Sequence, residues 1–592
     1  MKHFGKRLKN IFWLCRPYRK YARVYFFVIL LTSALLEPID DFFYVYFPKE
    51  VVDLLAVGKS FWYVATFSAI VCGILFIKNM TPKVLYPYFQ RKSKEVELKI
   101  KRDIYKKALS IDYRYIDNPE YYNKYAWAIT EYSAQTLAAR DFMSKFIQHF
   151  MSVTMLFTMI AAIGPWIIPI EIIQMFLHCK IDFVKNKMNI AYKQKLVPVK
   201  RRLSYFQRLF YQSEYAADIK STLVGKKIMD KYDIIENENL DIVKRYSKKQ
   251  ALYSILHETT FALTEFIIIC YIVYNITVGN IAEVGLYIMM TLAFYRGDSK
   301  LRELIDLITG ADELSLNAEK LREFFDIESK IESCTGGKLA SEESAFSVEL
   351  KDVLFAYENS AFSLSHINLS INPGEKIAVV GENGAGKSTL VKLLLRFYDV
   401  TEGEIFINGN RISEYNIKEL RKKIGVAFQK PLVYAMSLEE NISLYEDIPI
   451  SDIEAICEKL ELLSIFKKSG AGRETELTKE FDADGIMLSG GEIQKIALAR
   501  IMSGKFGLLI LDEPSSALDP LSEYKMNELI LGEANKTTTI MIAHRLSTVR
   551  NADKIVLVEN GTIQEYGTHD ELIELKGRYY EMFTKQAENY LE

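Results

Sequence analysis

No two of the six cysteines (Cys15, Cys72, Cys179, Cys270, Cys334 and Cys457) stand close together in the chain. That scatter supports neither a zinc site nor a disulfide framework, and the six read as reduced structural thiols. An excess of one charge is also missing. The net charge is −1, so no general field invites nucleic acid. A cleavable signal peptide is lacking too: the basic start at residues 2–9 leads into an apolar segment too long for the apolar core of such a signal, which reads as retained. What remains is a chain of 592 residues, long enough for about two to four domains. Hydrophobic residues make up 49% and charged residues still 26%, which fits one apolar part and one ordinary part better than a uniform soluble protein.

The apolar part comes first. Lys6, Arg7, Lys9, Trp13, Arg16, Tyr18, Arg19, Lys20 and Arg23 open the chain. The aromatics among these charges favour an interfacial helix over a disordered basic tail. Six apolar segments follow, at about 24–47, 61–77, 142–163, 166–183, 261–278 and 284–294, the third and fourth joined by a tight Gly164-Pro165 turn. A membrane helix needs about 20 residues, so any single one could be a buried soluble helix; six in regular alternation point to membrane spans. The stretches 48–60, 164–165 and 279–283 are short and poor in Lys and Arg. The long ones, 85–140 and 184–255, are basic, with Arg91, Lys92, Lys94, Lys99, Lys101, Arg102, Lys106 and Lys107 crowding into the first and Arg201, Arg202, Arg208, Lys226 and Lys227 in the second. The positive-inside rule puts the long stretches, the N-terminus and everything after the sixth span in the cytoplasm. Each long stretch reads as helices with a central interruption, at 117–122 and 215–219. Pro119 suits the start of a short helix capped by Asn118. Each interruption is either a contact with a cytoplasmic domain or a plain turn. Glu37, Asp40, Asp41, Glu171 and Glu265 fall inside apolar segments, where charge is costly. Glu37, Asp40 and Asp41 either line a cavity that would favour cationic or amphipathic substrates or mark the headgroup zone. Pro82 and Pro87, near the second segment, have no evident reason in the sequence.

A polar stretch with Gly336 and Gly337 marks a boundary near 330–345, beyond which the pattern turns α/β. There Gly381-Glu382-Asn383-Gly384-Ala385-Gly386-Lys387-Ser388-Thr389 follows an apolar strand pattern and precedes a helical one. Glycines let backbone N–H groups converge, and the helix adds its positive end, so this turn is an anion cradle. Lys387 is placed to reach the β- and γ-phosphates and Ser388 to offer a hydroxyl to Mg²⁺. The alternative, a chance glycine turn, leaves strand, helix, Lys and Ser in register without explanation. The run 508–511 reads as a buried strand ending on Asp512, placed to hold Mg²⁺ through water, with Glu513 next to it to polarise the attacking water. Gln429, at the end of another strand, can reach Mg²⁺ or a water. Tyr357, upstream of the phosphate turn, can stack on adenine. His544 ends a further strand and is suited to a γ-phosphate contact. Finally Leu488-Ser489-Gly490-Gly491-Glu492 opens a helix as a second anion-binding turn. One domain rarely needs two cradles for one triphosphate, so this one serves an ATP held by another copy.

Together these motifs resemble a bacterial ATP-binding cassette (ABC) exporter half-transporter of the multidrug, lipid or peptide kind, over essentially the whole chain. Residues 381–389 match the Walker A motif and 508–512 Walker B. Residues 488–492 match the family signature, Gln429 the Q-loop, 516–519 the D-loop, His544 the switch histidine and Tyr357 the A-loop. The resemblance implies a membrane protein in which a six-helix all-α transmembrane domain (1–330) is fused to an α/β P-loop ATPase domain (345–592). It implies ATP and Mg²⁺, Glu513 as general base, and coupling helices at about 118–125 and 215–224. It also implies a dimer, homomeric or heteromeric, with two ATPs sandwiched head to tail, and export of a drug-like, peptide or lipid substrate across the cell membrane by alternating access. Glu492 departs from the commoner Gln of the signature. The spacer 480–485 does not match the usual pattern, so no cross-talk residue is assigned there. No cysteine-protease domain precedes the spans, which disfavours a peptidase-containing peptide exporter. A non-transporting cassette ATPase or an ATP-gated regulator is the rival expectation, and six membrane spans argue against it.

Overall fold

The computed structural model describes residues 2–163, 167–278, 284–331, 338, 345–357, 363–445, 448–463, 476–481, 483–514, 537–543 and 549–591. The Gly164-Pro165 turn, the 279–283 stretch, Gly336, Gly337, Cys334, the 516–519 motif and His544 therefore lie outside the described residues, as does the side chain of Glu171. The five other cysteines are all free thiols.

The chain opens with α1 (Lys2–Leu14) and α2 (Arg16–Tyr21). It continues through α3 (Arg23–Ala56), α4 (Phe61–Leu109), α5 (Tyr113–Asp117), α6 (Pro119–Ile163), α7 (Ile167–Tyr211), α8 (Ser213–Ser221), α9 (Val224–Val278) and α10 (Val284–Phe325). Each apolar segment falls within one of the six long helices α3, α4, α6, α7, α9 and α10, the fourth from residue 167. Among the described residues, α4 and the stretch Val224–Tyr271 are long and apolar enough to cross a membrane by length and composition. On α4, Phe61, Trp62, Phe76 and Ile77 are exposed, an apolar surface that water would penalise. Pro82 and Pro87 lie inside α4, which continues through both.

By their contacts the residues divide into two compact units, Met1–Ala108 with Asn123–Asp326, and Leu109–Tyr122 with Ile327–Glu592. In the first unit the N-terminus is helical and packed, not a tail. Arg7 pairs with Asp312 at 2.5 Å, Asn10 donates to the Ser315 hydroxyl at 2.9 Å, and Trp13 meets Phe325 edge-on. Helix α3 runs on to Ala56 despite Pro48, so most of 48–60 is helix and not loop. The carboxylates of α3 each face a cation of the same unit. Glu37 meets Lys300 at 2.8 Å, Asp40 meets Lys78 at 2.8 Å, and Asp41 meets Arg296 at 2.9 Å. Glu265 accepts from the Tyr295 hydroxyl. Glu37, Asp40 and Asp41 are thus paired with cations inside the unit.

The interruption near 117–122 is arranged differently from its sequence pattern. The short helix, α5, precedes Asn118, and Pro119 opens the 45-residue α6. The backbone carbonyl of Asn118 accepts from Tyr122 N–H, so Asn118 does stand at a helix start. The second interruption is α8, set off by extended residues Gln212 and Thr222.

In the second unit the strands are β1 (Val348–Ala356), β2 (Ser363–Ile371), β3 (Lys376–Val380), β4 (Glu402–Ile407), β5 (Asn410–Arg411), β6 (Ile424–Ala427), β7 (Leu508–Asp512), β8 (Thr538–Ile542), β9 (Lys554–Glu559) and β10 (Thr562–Gly567). The helices are α11 (Lys387–Leu394), α12 (Ile417–Lys422), α13 (Leu438–Ile442), α14 (Ile450–Lys459), α15 (Gly490–Met502), α16 (His569–Leu575) and α17 (Arg578–Leu591). An antiparallel sheet runs β2-β1-β4-β5, and a six-stranded sheet runs β10-β9-β3-β8-β7-β6. In the latter, β9, β3, β8, β7 and β6 are parallel and β10 is an antiparallel edge. Strands β7 and β8 are buried along their whole length, as expected of central strands covered on both faces. One core joins the two sheets through Phe346, Val348, Leu390 and Ile540. A second, built on Ile442, Ile453, Cys457 and Ile496, seats α13, α14 and α15.

Candidate functional site

Ligands of parallel α/β sheets bind at the carboxyl ends of the strands, and the motif residues gather there. Ile542 at the end of β8 pairs with both Val379 of β3 and Asp512 of β7, so the two flanking strands end level. From β3 the chain turns at Gly381, with φ +151; a Cβ here would come within 2.1 Å of the Val558 carbonyl oxygen. Gly386 caps α11 in the left-handed region, a conformation that costs other residues energy. Lys387 is buried, and its ammonium donates to the carbonyls of Gly381 at 2.7 Å and Glu382 at 2.9 Å, closing the loop on itself. Burial pushes its pKa below the usual lysine value, while the nearby charges of Glu513 and Asp512 act in the opposite sense. Both carboxylates therefore lie near the loop.

Asp512 is buried at the end of β7. Glu513 takes the left-handed backbone with φ +52, held by an N–H bond to the Ile542 carbonyl at 3.0 Å. Such strain in a non-glycine residue is tolerated where the surroundings fix it, commonly at functional sites. The Gln429 amide nitrogen donates to the Glu513 carboxylate at 2.8 Å. Sequence reasoning aimed Gln429 at metal or water; here it orients the carboxylate next to Asp512.

Tyr357 bonds through its hydroxyl to Thr389 at 3.2 Å, which ties the aromatic residue to the phosphate loop helix. Around it is a set that sequence reasoning missed. Phe355 and Tyr398 meet Tyr357 edge-on. The Lys392 ammonium lies 5.4 Å from the centre of the Tyr357 ring and 5.5 Å from that of Tyr113, within cation–π range. Asp117 accepts from Lys392 at 2.8 Å and from Tyr398 at 2.6 Å. Burial alone would raise the Asp117 carboxyl, but those two bonds and the Lys392 charge hold it below its usual range. Asp112, fully buried, accepts from the backbone N–H groups of Lys330 and Ile331 at 3.0 and 3.1 Å. Asp112, Asp117, Lys330, Phe355, Tyr357 and Tyr398 border a cavity of about 500 Å³. The signal in the sequence that bears on this set is the break at 117–122, which contains Asp117.

The second turn is a capping box. Ser489 accepts from Glu492 N–H at 3.3 Å, and the Glu492 carboxylate accepts from Ser489 N–H at 2.8 Å. A glutamate closes that box as a glutamine would, which explains why the departure at 492 leaves the turn intact. Gly490 and Gly491 open α15 directly behind it.

Residues 364–516 match the protein family described as ABC transporter. The subtilin transport ATP-binding protein SpaT of Bacillus subtilis is 28% identical over 601 positions, covering 100% of this chain and 95% of the relative. The putative multidrug export ATP-binding/permease protein YgaD of B. subtilis strain 168 is 40% identical over 244 residues, 41% of each chain. The fold resembles a solved bacterial Atm1-family ABC exporter with ATP bound, with a TM-score of 0.79, 19% identity, and coverage of 96% of this chain and 98% of that one. Together these matches support a bacterial ABC half-transporter exporter in which a helical membrane domain is fused to an ATPase domain.

Proposed function

We propose that the protein exports its substrate by alternating access, driven by ATP held between two ATPase domains. The observation that carries this is the level ending of β3 and β7, which sets the 381–389 loop beside Asp512 and Glu513. The loop amides and Lys387 bind the β- and γ-phosphates, and Tyr357 stacks on the base. The oxygen donors of Ser388, Asp512 and Gln429 are the hard ligands that Mg²⁺ prefers, and the buried Asp512 carboxylate supplies the charge. Bound there, Mg²⁺ would neutralise charge on the phosphates. Glu513, oriented by Gln429, takes the proton of the attacking water, with His544 on the γ-phosphate. The turn of Ser489, Gly490, Gly491 and Glu492 completes the site of a partner, the same chain or a different half-transporter. Residues 1–330 then form the membrane domain in the lipid bilayer and 345–592 the ATPase, with the N-terminus and ATPase cytoplasmic.

The test is ATPase activity of the full chain in nanodiscs against a panel of drug-like amphipaths, peptides and lipids. Subtilin, for which the full-length relative is named, comes first. The expected result is stimulation by one class only, abolished in Glu513→Gln. Equal activity with every compound and with none would overturn the export reading. For the base, Tyr357→Ala should weaken ATP binding by about 1–3 kcal/mol, seen as a raised KM for ATP with kcat little changed. An unchanged KM would remove Tyr357 from the site.

A further inference from the structure

Within the first unit, three helices bring polar groups together in a place the ATPase cycle above does not use. Gln174 and His178 come from α7, His257 and Thr260 from α9, and Asp298 and Arg302 from α10. Gln174, His178 and Asp298 are each only 2% exposed, and His257 is buried as well.

The hydrogen bonds point to one arrangement of the protons. The Thr260 hydroxyl donates to the His257 carbonyl at 2.7 Å, which uses its single hydrogen. Its 3.0 Å contact with His178 Nε2 is then one it accepts, so Nε2 carries the hydrogen. A neutral His178 therefore turns a bare lone pair on Nδ1 towards Asp298 Oδ1, 3.7 Å away. That oxygen already accepts from Gln174 Nε2 at 3.0 Å. Two acceptors face each other across a gap that one proton would fill. The Gln174 amide oxygen is also buried without a hydrogen-bond partner among the described residues.

Other charges decide when the proton enters. Arg302 is ion-paired with Asp298 and lies 3.8 Å from Glu258. The His257 ring stacks on His178 with centroids 3.8 Å apart and has its own Nδ1 3.9 Å from Glu258. One turn along α7 and two turns along α10, Asp182 with Lys185 and Asp306 complete the charged surroundings. Of these groups, Arg302 on Oδ2 and a protonated His178 on Oδ1 would share one carboxylate, so the positive charge of the arginine opposes the proton.

We propose that His178 and Asp298 form a proton-binding site linking α7 to α10, occupied when Arg302 releases Asp298. The proton comes from water and binds at Nδ1 as N–H donating to Oδ1. The contact then shortens from 3.7 Å to hydrogen-bond length, about 2.8 Å. Because α10 ends at Phe325, next to the first residues of the second unit, a change on α10 has a covalent route towards the ATPase.

The test uses the full chain in nanodiscs with ¹⁵N-labelled histidine, the His178 signals being those absent from His178→Gln. Glutamine is chosen because its amide can still donate to Thr260. In the wild type, His178 should be the Nε2–H tautomer; an Nδ1–H tautomer would overturn the proposal before any other variant is made. In Arg302→Gln, mild acidification should place a second proton on His178, and ATPase activity should change over the same pH range. The double variant His178→Gln/Arg302→Gln should lack that change. An Arg302→Gln profile identical to wild type, or one that persists in the double variant, would likewise overturn it.

Discussion

Replacing Glu513 by Gln is expected to lower ATP turnover by about 10²–10⁴-fold while ATP binding persists. Glutamine has nearly the shape of glutamate, and the contact with Gln429 can be kept through its amide oxygen. The positive φ at 513 is held by the N–H bond to Ile542, which does not depend on the side chain. What disappears is the carboxylate that accepts the water proton. Turnover is measured in nanodiscs, and binding by the rise in thermal stability that saturating ATP gives a site it occupies. Turnover within about tenfold of wild type would mean that another group serves as base, since general-base removal costs more than that. Loss of the ATP-induced stabilisation would show instead that the substitution damaged the pocket.

The features legible in the sequence are those that depend on local physics. The phosphate turn at 381–389 declared itself because Gly381 and Gly386 adopt backbone angles that side chains resist. Strands β3, β7 and β8 were legible because buried central strands are continuous apolar runs. Strands β2, β4, β9 and β10 were not picked out: β2 alternates between buried and exposed positions, and β10 is an edge strand that buries only Gly567. The six long helices followed from apolar length, whereas the end of α3 did not, because Pro48 reads as a stop and tertiary packing overrides it.

Side-chain partnership over long sequence separation left almost no trace. The break at 117–122 offered a contact with a cytoplasmic domain, and Leu109–Tyr122 does group with the ATPase unit, but Asp117 and Lys392 stand 275 residues apart and nothing in either neighbourhood names the other. Gln429 was found, but its contact with Glu513 was not, because a strand end gives the position of an amide and not its direction. The carboxylates of α3 were noticed as costly. Their cations, Lys300 and Arg296, lie more than 250 residues away on α10, and only the fold reveals the compensation.

That compensation makes the second large prediction. Arg296→Met should destabilise the membrane unit by up to about 3–5 kcal/mol, because it takes from a buried carboxylate its ion-pair partner and leaves it only the charge of Lys300, which is itself paired with Glu37. Asp41 is 0% exposed, and Arg296 Nε is 2.9 Å from it. Asp41→Leu should cost less, since Arg296 keeps Asp40 at 3.4 Å and the Tyr44 ring face at 4.6 Å. The double variant Asp41→Leu/Arg296→Met removes both charges and fills the space with apolar atoms, so it should recover most of the loss; buried ion pairs are often replaceable in this way. Thermal unfolding of the four proteins in nanodiscs, together with the amount recovered as monodisperse protein, measures the cycle. If Arg296→Met and the double variant unfold at the same temperature, the penalty lies in lost packing around the arginine stem and not in the stranded charge of Asp41. If all four unfold alike, the pair contributes nothing, and the carboxylate at 41 is free to serve the transported substrate after all.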